Sequence, residues 1–174
     1  TFSFFLRLPV PKVQLNQQVG LNPEESNAEL LEGLKVLVAE DNRVNRMIVG
    51  RFLKKWKVKA DFAENGMQAV HQADKNAYDI ILMDLHMPEM DGMEATEVIK
   101  RDQIQNQSVS IIALTASTMT EDRLAAAAVG MIDYIAKPFD PVDLFNKLSK
   151  YAPQNFLLTS KSSRNNHSKY FFPF

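Results

Sequence analysis

The chain has 174 residues, 45% of them hydrophobic and 24% charged, with a net charge of −1. That size holds one well-cored domain with appendages, and that charge gives no footprint for nucleic acid or an anionic membrane surface. With no cysteine, disulfides and thiolate metal sites are excluded.

Residues 1–10, TFSFFLRLPV, read as one strand closed by Pro9, and a lone strand needs a partner sheet. Residues 11–33 mix Pro, Gln, Asn, Gly and Glu with no period and read as a linker, in which Glu29, Leu30 and Leu31 could open a short helix. The amino end has no basic n-region of a signal peptide, and no apolar run approaches the ~18 residues of a membrane span. A chain that opens in mid-pattern at Thr1 is expected to be a piece of something longer.

From Leu34 the pattern changes. Leu34–Ala39 is a short apolar run ending in acids, and Asn42 is an N-cap before an amphipathic stretch that puts Val44, Met47, Ile48, Phe52 and Leu53 on one face. Val58–Ala63 is a second strand and Met67–Lys75 a second helix. Asp79–Met83 is nearly uninterrupted in apolar residues, as expected of a strand covered on both faces. Met93–Asp102 is helical, Ser110–Leu114 another buried strand, and Thr120–Val129 a helix ended by Gly130. Ile132–Ala136 is the fifth strand and Pro141–Tyr151 the last helix, capped by Asp140. Trp56, at the end of the first helix, reads as a packing residue. The tail 154–174 contains no acid and is expected to be disordered.

Strands alternating with helices call for right-handed crossovers and a parallel sheet with helices on both faces. The fold class is therefore α/β, a flavodoxin-like, doubly wound (βα)5 sheet, expected in the order 2-1-3-4-5. In such a sheet ligands bind beyond the carboxyl ends of the strands. Glu40 and Asp41 stand after strand one, Asp84 after strand three, Thr115 after strand four and Lys137 after strand five. Singly each is a cap or turn residue. Together, three carboxylates that repel one another need a cation, and an oxygen-only set suits a hard ion such as Mg²⁺.

The blocks VLVAEDNRVNR at 36–46, DIILMDLHMPEMDG at 79–92, ALTA at 113–116 and KPF at 137–139 resemble, in order, the signature blocks of response-regulator receiver domains. The resemblance covers residues 35–152, and the receiver domain is assigned to 34–152. It implies that Asp84 is the phosphoacceptor, that Asp41 binds Mg²⁺ directly, and that Glu40 is the second acid. It implies further that the His86 backbone carbonyl completes the protein oxygens on the metal, and that Thr115 bonds and Lys137 pairs with the phosphoryl group. Tyr134 falls at the aromatic switch position, and Pro138 at a cis-proline. The implied donor is a phosphohistidine-bearing kinase domain or phosphotransfer protein. Helix faces suited to docking would also serve a homodimer.

TFSFFLRLPV is similar to the closing strand of the ATP-binding domain of sensor histidine kinases, which implies a hybrid sensor kinase as the parent, with this portion expected in the cytoplasm. The chain has no ATP-binding glycine boxes and no dimerisation-helix histidine, so it is not a kinase alone. Three other readings compete. An aspartate-nucleophile phosphohydrolase wants an acid where His86 stands, and a flavin-binding domain wants a phosphate loop after strand one. A degenerate receiver acting only as a protein-binding module would have lost site residues that are present here.

Overall fold

The structure is a computed structural model that describes residues 30–102, 106–116 and 120–153. Its elements are β1 (Lys35–Ala39), α1 (Arg43–Lys55), β2 (Lys59–Ala63), α2 (Gly66–Lys75), β3 (Ile80–Asp84), α3 (Gly92–Asp102), β4 (Ser110–Thr115), α4 (Thr120–Ala128), β5 (Asp133–Ala136) and α5 (Pro141–Tyr151). All strand pairs are parallel, in the order β2-β1-β3-β4-β5. This is the doubly wound flavodoxin-like order expected from the sequence.

Period-two alternation divides each central strand between two cores. Leu37, Ile81, Met83 and Ile111 face α2, α3 and α4, where Ala69, Ala73, Ala95 and Ile99 are fully buried. Val36, Val38, Leu82 and Leu114 face α1 and α5, meeting Val49, Leu53, Leu144 and Leu148. With both faces covered, the strands must be apolar throughout, which is why β3 reads IILM before its acid. The helix ends are fixed locally. The Asn42 carboxamide accepts from the Val44 and Asn45 N–H groups at 2.9 and 3.3 Å, and the Asp140 carboxylate from Val142 and Asp143, both at 2.8 Å. Such caps contribute about 0.5–2 kcal/mol each. Gly130, at φ +96°, lets the chain leave α4 in the left-handed region.

Two strand ends move by a residue because the parallel ladder extends toward the carboxyl edge. Asp84 and Thr115 close β3 and β4 instead of following them, because their positions still pair, Asp84 with Leu114 and Thr115 with Ala136. Leu34 lies before β1, its N–H bonded to the Leu31 carbonyl at 3.1 Å. Leu31, which the sequence reading puts in the linker, is fully buried beside Leu34, and the local chain is a turn, not a helix. The α1 face is the larger correction. Its inward stripe is Val49, Leu53 and Trp56, at helical spacing, while Val44, Met47 and Ile48 are exposed. Trp56 is a packing residue as expected, 5.9 Å from the Phe52 ring and 5.3 Å from that of Phe145. The expected strand at 1–10 and tail at 154–174 lie outside the described residues, as does most of the linker.

At the sheet's amino edge one buried side chain joins two loops. Asn106 donates to the Ala73 and Asn76 carbonyls at 2.6 and 2.8 Å and accepts from the Tyr78 N–H at 3.0 Å. Asn106→Ala strands these groups away from water and is expected to destabilise the protein by about 2–4 kcal/mol in urea unfolding. An unchanged midpoint would mean that the loops relax to satisfy one another.

Candidate active site

The carboxyl edges of β1, β3 and β5 converge on a single ammonium. The Lys137 Nζ lies 2.6 Å from Asp84 Oδ2 and 2.6 Å from Glu40 Oε2. Glu40 is fully buried and Asp84 is 4% exposed, so neither carboxylate has bulk water to stabilise its charge. Glu40, Asp41 and Asp84 each bring one carboxylate oxygen within 4.8 Å of the others. Asp41 is the exposed member and forms the mouth. Thr115, 2% exposed, closes β4 beside Asp84, and its carbonyl accepts from the Lys137 N–H at 2.8 Å. The Lys137–Pro138 peptide is cis, as the KPF block implies.

The segment after β1 is a device for holding two acids in place. Glu40 Oε1 accepts from the Asn42 N–H at 3.2 Å and the Asn45 side chain at 3.0 Å. Arg46 donates to the Glu40 and Asp41 carbonyls, both at 2.7 Å, and to Glu64 at 2.6 Å. Sequence reasoning missed Asn45 and Arg46. Their signal was present: they stand one helical turn past the acids, where a side chain reaches back over the N-terminus. Gly92, legible in sequence as a turn residue, also has a steric role against the end of β3. A Cβ there would come within 2.0 Å of the Asp84 carbonyl oxygen, so the β3–α3 loop can fold back onto the strand end only with glycine. Asp91 caps α3 by accepting from the Glu94 N–H at 2.9 Å.

His86 follows the strand with its ring exposed and its N–H donating to Asp84 Oδ1 at 3.3 Å. Tyr134 is half-buried on β5, with a cavity of about 180 Å³ between it and Thr115. The structure thus brings Glu40, Asp41, Asp84 and Lys137 together, with Thr115 and His86 at the adjoining strand ends and Tyr134 on β5 to the side.

Burial pushes the Asp84 carboxyl above the ordinary carboxylate range. The hydrogen bond from Lys137 opposes the shift, and the Glu40 charge adds to it. The donor set fits a hard divalent cation. It is all oxygen, it is partly buried, and Glu40 Oε2 has the Lys137 charge beside it but no well-directed hydrogen bond.

Because the folded-state pKa of Asp84 lies above the unfolded value, the folded protein holds this proton longer. Its stabilising effect is present in acid and is lost as pH rises through the folded pKa. In EDTA at neutral pH, Asp84→Asn should melt at a higher temperature than wild type. The gain should shrink toward the ordinary aspartate pKa of about 4, and Mg²⁺ should narrow it by binding wild type more tightly. A variant no more stable than wild type at neutral pH would mean that the Lys137 pair outweighs the cost of burial.

The family model of the response regulator receiver domain matches residues 36–149. Among curated relatives, the chain is 35% identical over 170 residues to probable histidine kinase 1 of Oryza sativa subsp. indica, covering 80% of this chain and 18% of that protein. It is 36% identical over 138 residues to the signal transduction histidine-protein kinase BarA of Escherichia coli, covering 79% of this chain and 15% of that protein. The chain thus spans less than a fifth of the length of these kinases. Among solved structures, it resembles the receiver domain of a Pseudomonas aeruginosa sensor histidine kinase with magnesium coordinated in the active-site cleft. There the identity is 38% and the TM-score 0.64, over 68% of this chain and 97% of that one. It also resembles a Saccharomyces cerevisiae co-crystal of the histidine phosphotransfer protein Ypd1 with the receiver domain of its response regulator Ssk1. That match has 32% identity and a TM-score of 0.65, over 70% of this chain and 90% of that one. The fold, the matched blocks and these likenesses agree, and the chain belongs to the response regulator receiver family of two-component signalling.

Proposed function

We propose that Asp84 is the phosphoacceptor of a phosphorelay, taking a phosphoryl group from a phosphohistidine. The observation that carries this reading is the crevice itself: three carboxylates with ligand atoms within 4.8 Å, and Lys137 2.6 Å from Asp84. An Asp84 carboxylate oxygen attacks phosphorus, the P–N bond to the histidine breaks, and the electron pair leaves with the imidazole. Lys137, already beside Asp84, pairs with charge on the phosphoryl oxygens. Mg²⁺ held by Glu40, Asp41, Asp84 and the His86 carbonyl would supply the remaining neutralising charge. The alternatives fit less well. A phosphohydrolase lacks its second acid at His86, and a degenerate module would not retain the whole constellation.

Phosphorylation adds about −1.5 to −2 charge. The new oxygens would draw the Thr115 hydroxyl inward, and the cavity beside it would receive the Tyr134 ring, remodelling the face of α4, β5 and α5. The hybrid sensor kinase parent, the kinase-domain remnant at 1–10, and the cytoplasmic placement belong to the same proposal. The histidine kinases among the relatives support the first of these.

The phosphohistidine protein must dock where its ring can reach Asp84, and α1 opens directly after Glu40 and Asp41. Its outward strip of Val44, Met47 and Ile48 is 61%, 49% and 37% exposed, an apolar face with no cover from the described residues of this chain. We assign it to that partner.

Incubation with acetyl phosphate and Mg²⁺ should add one phosphoryl mass to wild type and none to Asp84→Asn. An adduct on the variant, or none on folded wild type, would sink the assignment. Met47→Glu should slow transfer from a phosphohistidine donor about tenfold or more, as expected for a charge placed in an apolar contact. Its acetyl phosphate rate should stay unchanged; equal loss on both donors would show a damaged site instead of a damaged docking face.

A further inference from the structure

The Arg123 side chain, on α4, is spent on Tyr134. Its guanidinium carbon lies 3.7 Å from the centroid of the Tyr134 ring. Its Nε is buried and has no hydrogen-bond partner. A guanidinium gives up hydration in this way only where something else repays it, and here the ring face does so. The Lys147 ammonium, on α5, is 4.4 Å from the same centroid.

The two cations are not equivalent. Lys147 is bonded to the Tyr134 main-chain carbonyl and, at 3.0 Å, to Asp133 Oδ1, so it stays with β5 whichever way the ring points. Among the described residues, the partner of Arg123 is the ring alone. Next to the ring is the cavity of about 180 Å³, lined by Leu85, Ala113, Thr115, Ala126 and Met131. A cavity of about 150 Å³ admits benzene, so the volume already suffices for a phenol ring. Tyr134 and Arg123 themselves form part of the wall of this space, and Tyr134 is half-buried there.

We propose that Arg123 is a positioning residue that latches the Tyr134 ring at the wall of this cavity and so sets how far the unphosphorylated protein leans toward the switched state. The inference rests on reading Thr115 and Tyr134 as the switch. It goes beyond that reading by naming the contact that opposes switching. A cation–π contact of ordinary strength biases such an equilibrium by about two- to thirtyfold.

The test uses methyl-labelled Ala113 and Met131, whose resonances shift with the ring current when the ring enters. Wild type, Arg123→Lys and Arg123→Met are compared with and without beryllofluoride, a phosphoryl mimic, in Mg²⁺. Without the mimic, Arg123→Met should move both methyls along the line from the wild-type free position to its saturated position, raising the inward population about two- to thirtyfold. Arg123→Lys, which keeps a cation on the ring, should stay near wild type. If Arg123→Met does not move them while the mimic still moves wild type, the latch is overturned and the switch stands. Equal displacement by both variants overturns the cation–π basis of the latch. If the mimic binds but leaves the methyls of wild type in place, the switch reading falls and the latch with it.

Discussion

Two buried carboxylates, Glu40 and Asp84, share the Lys137 ammonium at 2.6 Å each, and Asp41 stands at the rim of the same crevice. Three carboxylates and one ammonium sum to −3 + 1 = −2, and water reaches only Asp41 at the rim, leaving the two buried acids poorly screened. Much of the local architecture serves this imbalance. Arg46 pins the carbonyls of both β1 acids, Asn42 and Asn45 bond the free oxygen of Glu40, and the His86 N–H supports Asp84. None of these cancels the residual charge. A cluster so arranged is less stable alone than with a cation in it.

The parallel sheet makes the crevice possible. Each strand delivers its last residue to one edge, and each crossover returns the chain to the opposite edge without obstructing the mouth. The two cores, one per face, hold the strands at fixed height, so the acids and Lys137 meet without any loop having to reach for the others. Gly92 shows how tight that arrangement is, since the space between α3 and the end of β3 admits no Cβ.

Around this rigid centre the surface divides the labour. α1 turns Val49 and Leu53 inward and leaves Val44, Met47 and Ile48 in water beside the mouth, an apolar strip that contributes nothing to the core. On the other side, β5 carries Tyr134 between cations from α4 and α5, next to space the ring does not fill. Under the proposed function, one face would receive the donor and the other would report the change.

Much of this was readable from the amino acids. Strand and helix order follow from apolar runs bounded by caps and glycines, and in a parallel sheet the polar residue after each run has to stand at the carboxyl edge. Glu40, Asp41, Asp84, Thr115 and Lys137 were therefore legible as a group, and the four blocks tied them to a family. Other features depend on chain segments far apart in sequence. Periodicity cannot choose between two apolar stripes of α1, because only the packing of β1 and α5 determines which one is covered. Lys137 and Asp84 are 53 residues apart, and nothing local shows that one ammonium is shared with Glu40. The Arg123 contact and the cavity beside it arise where α4 crosses β5, and a void between packed elements leaves no trace in the order of residues along the chain.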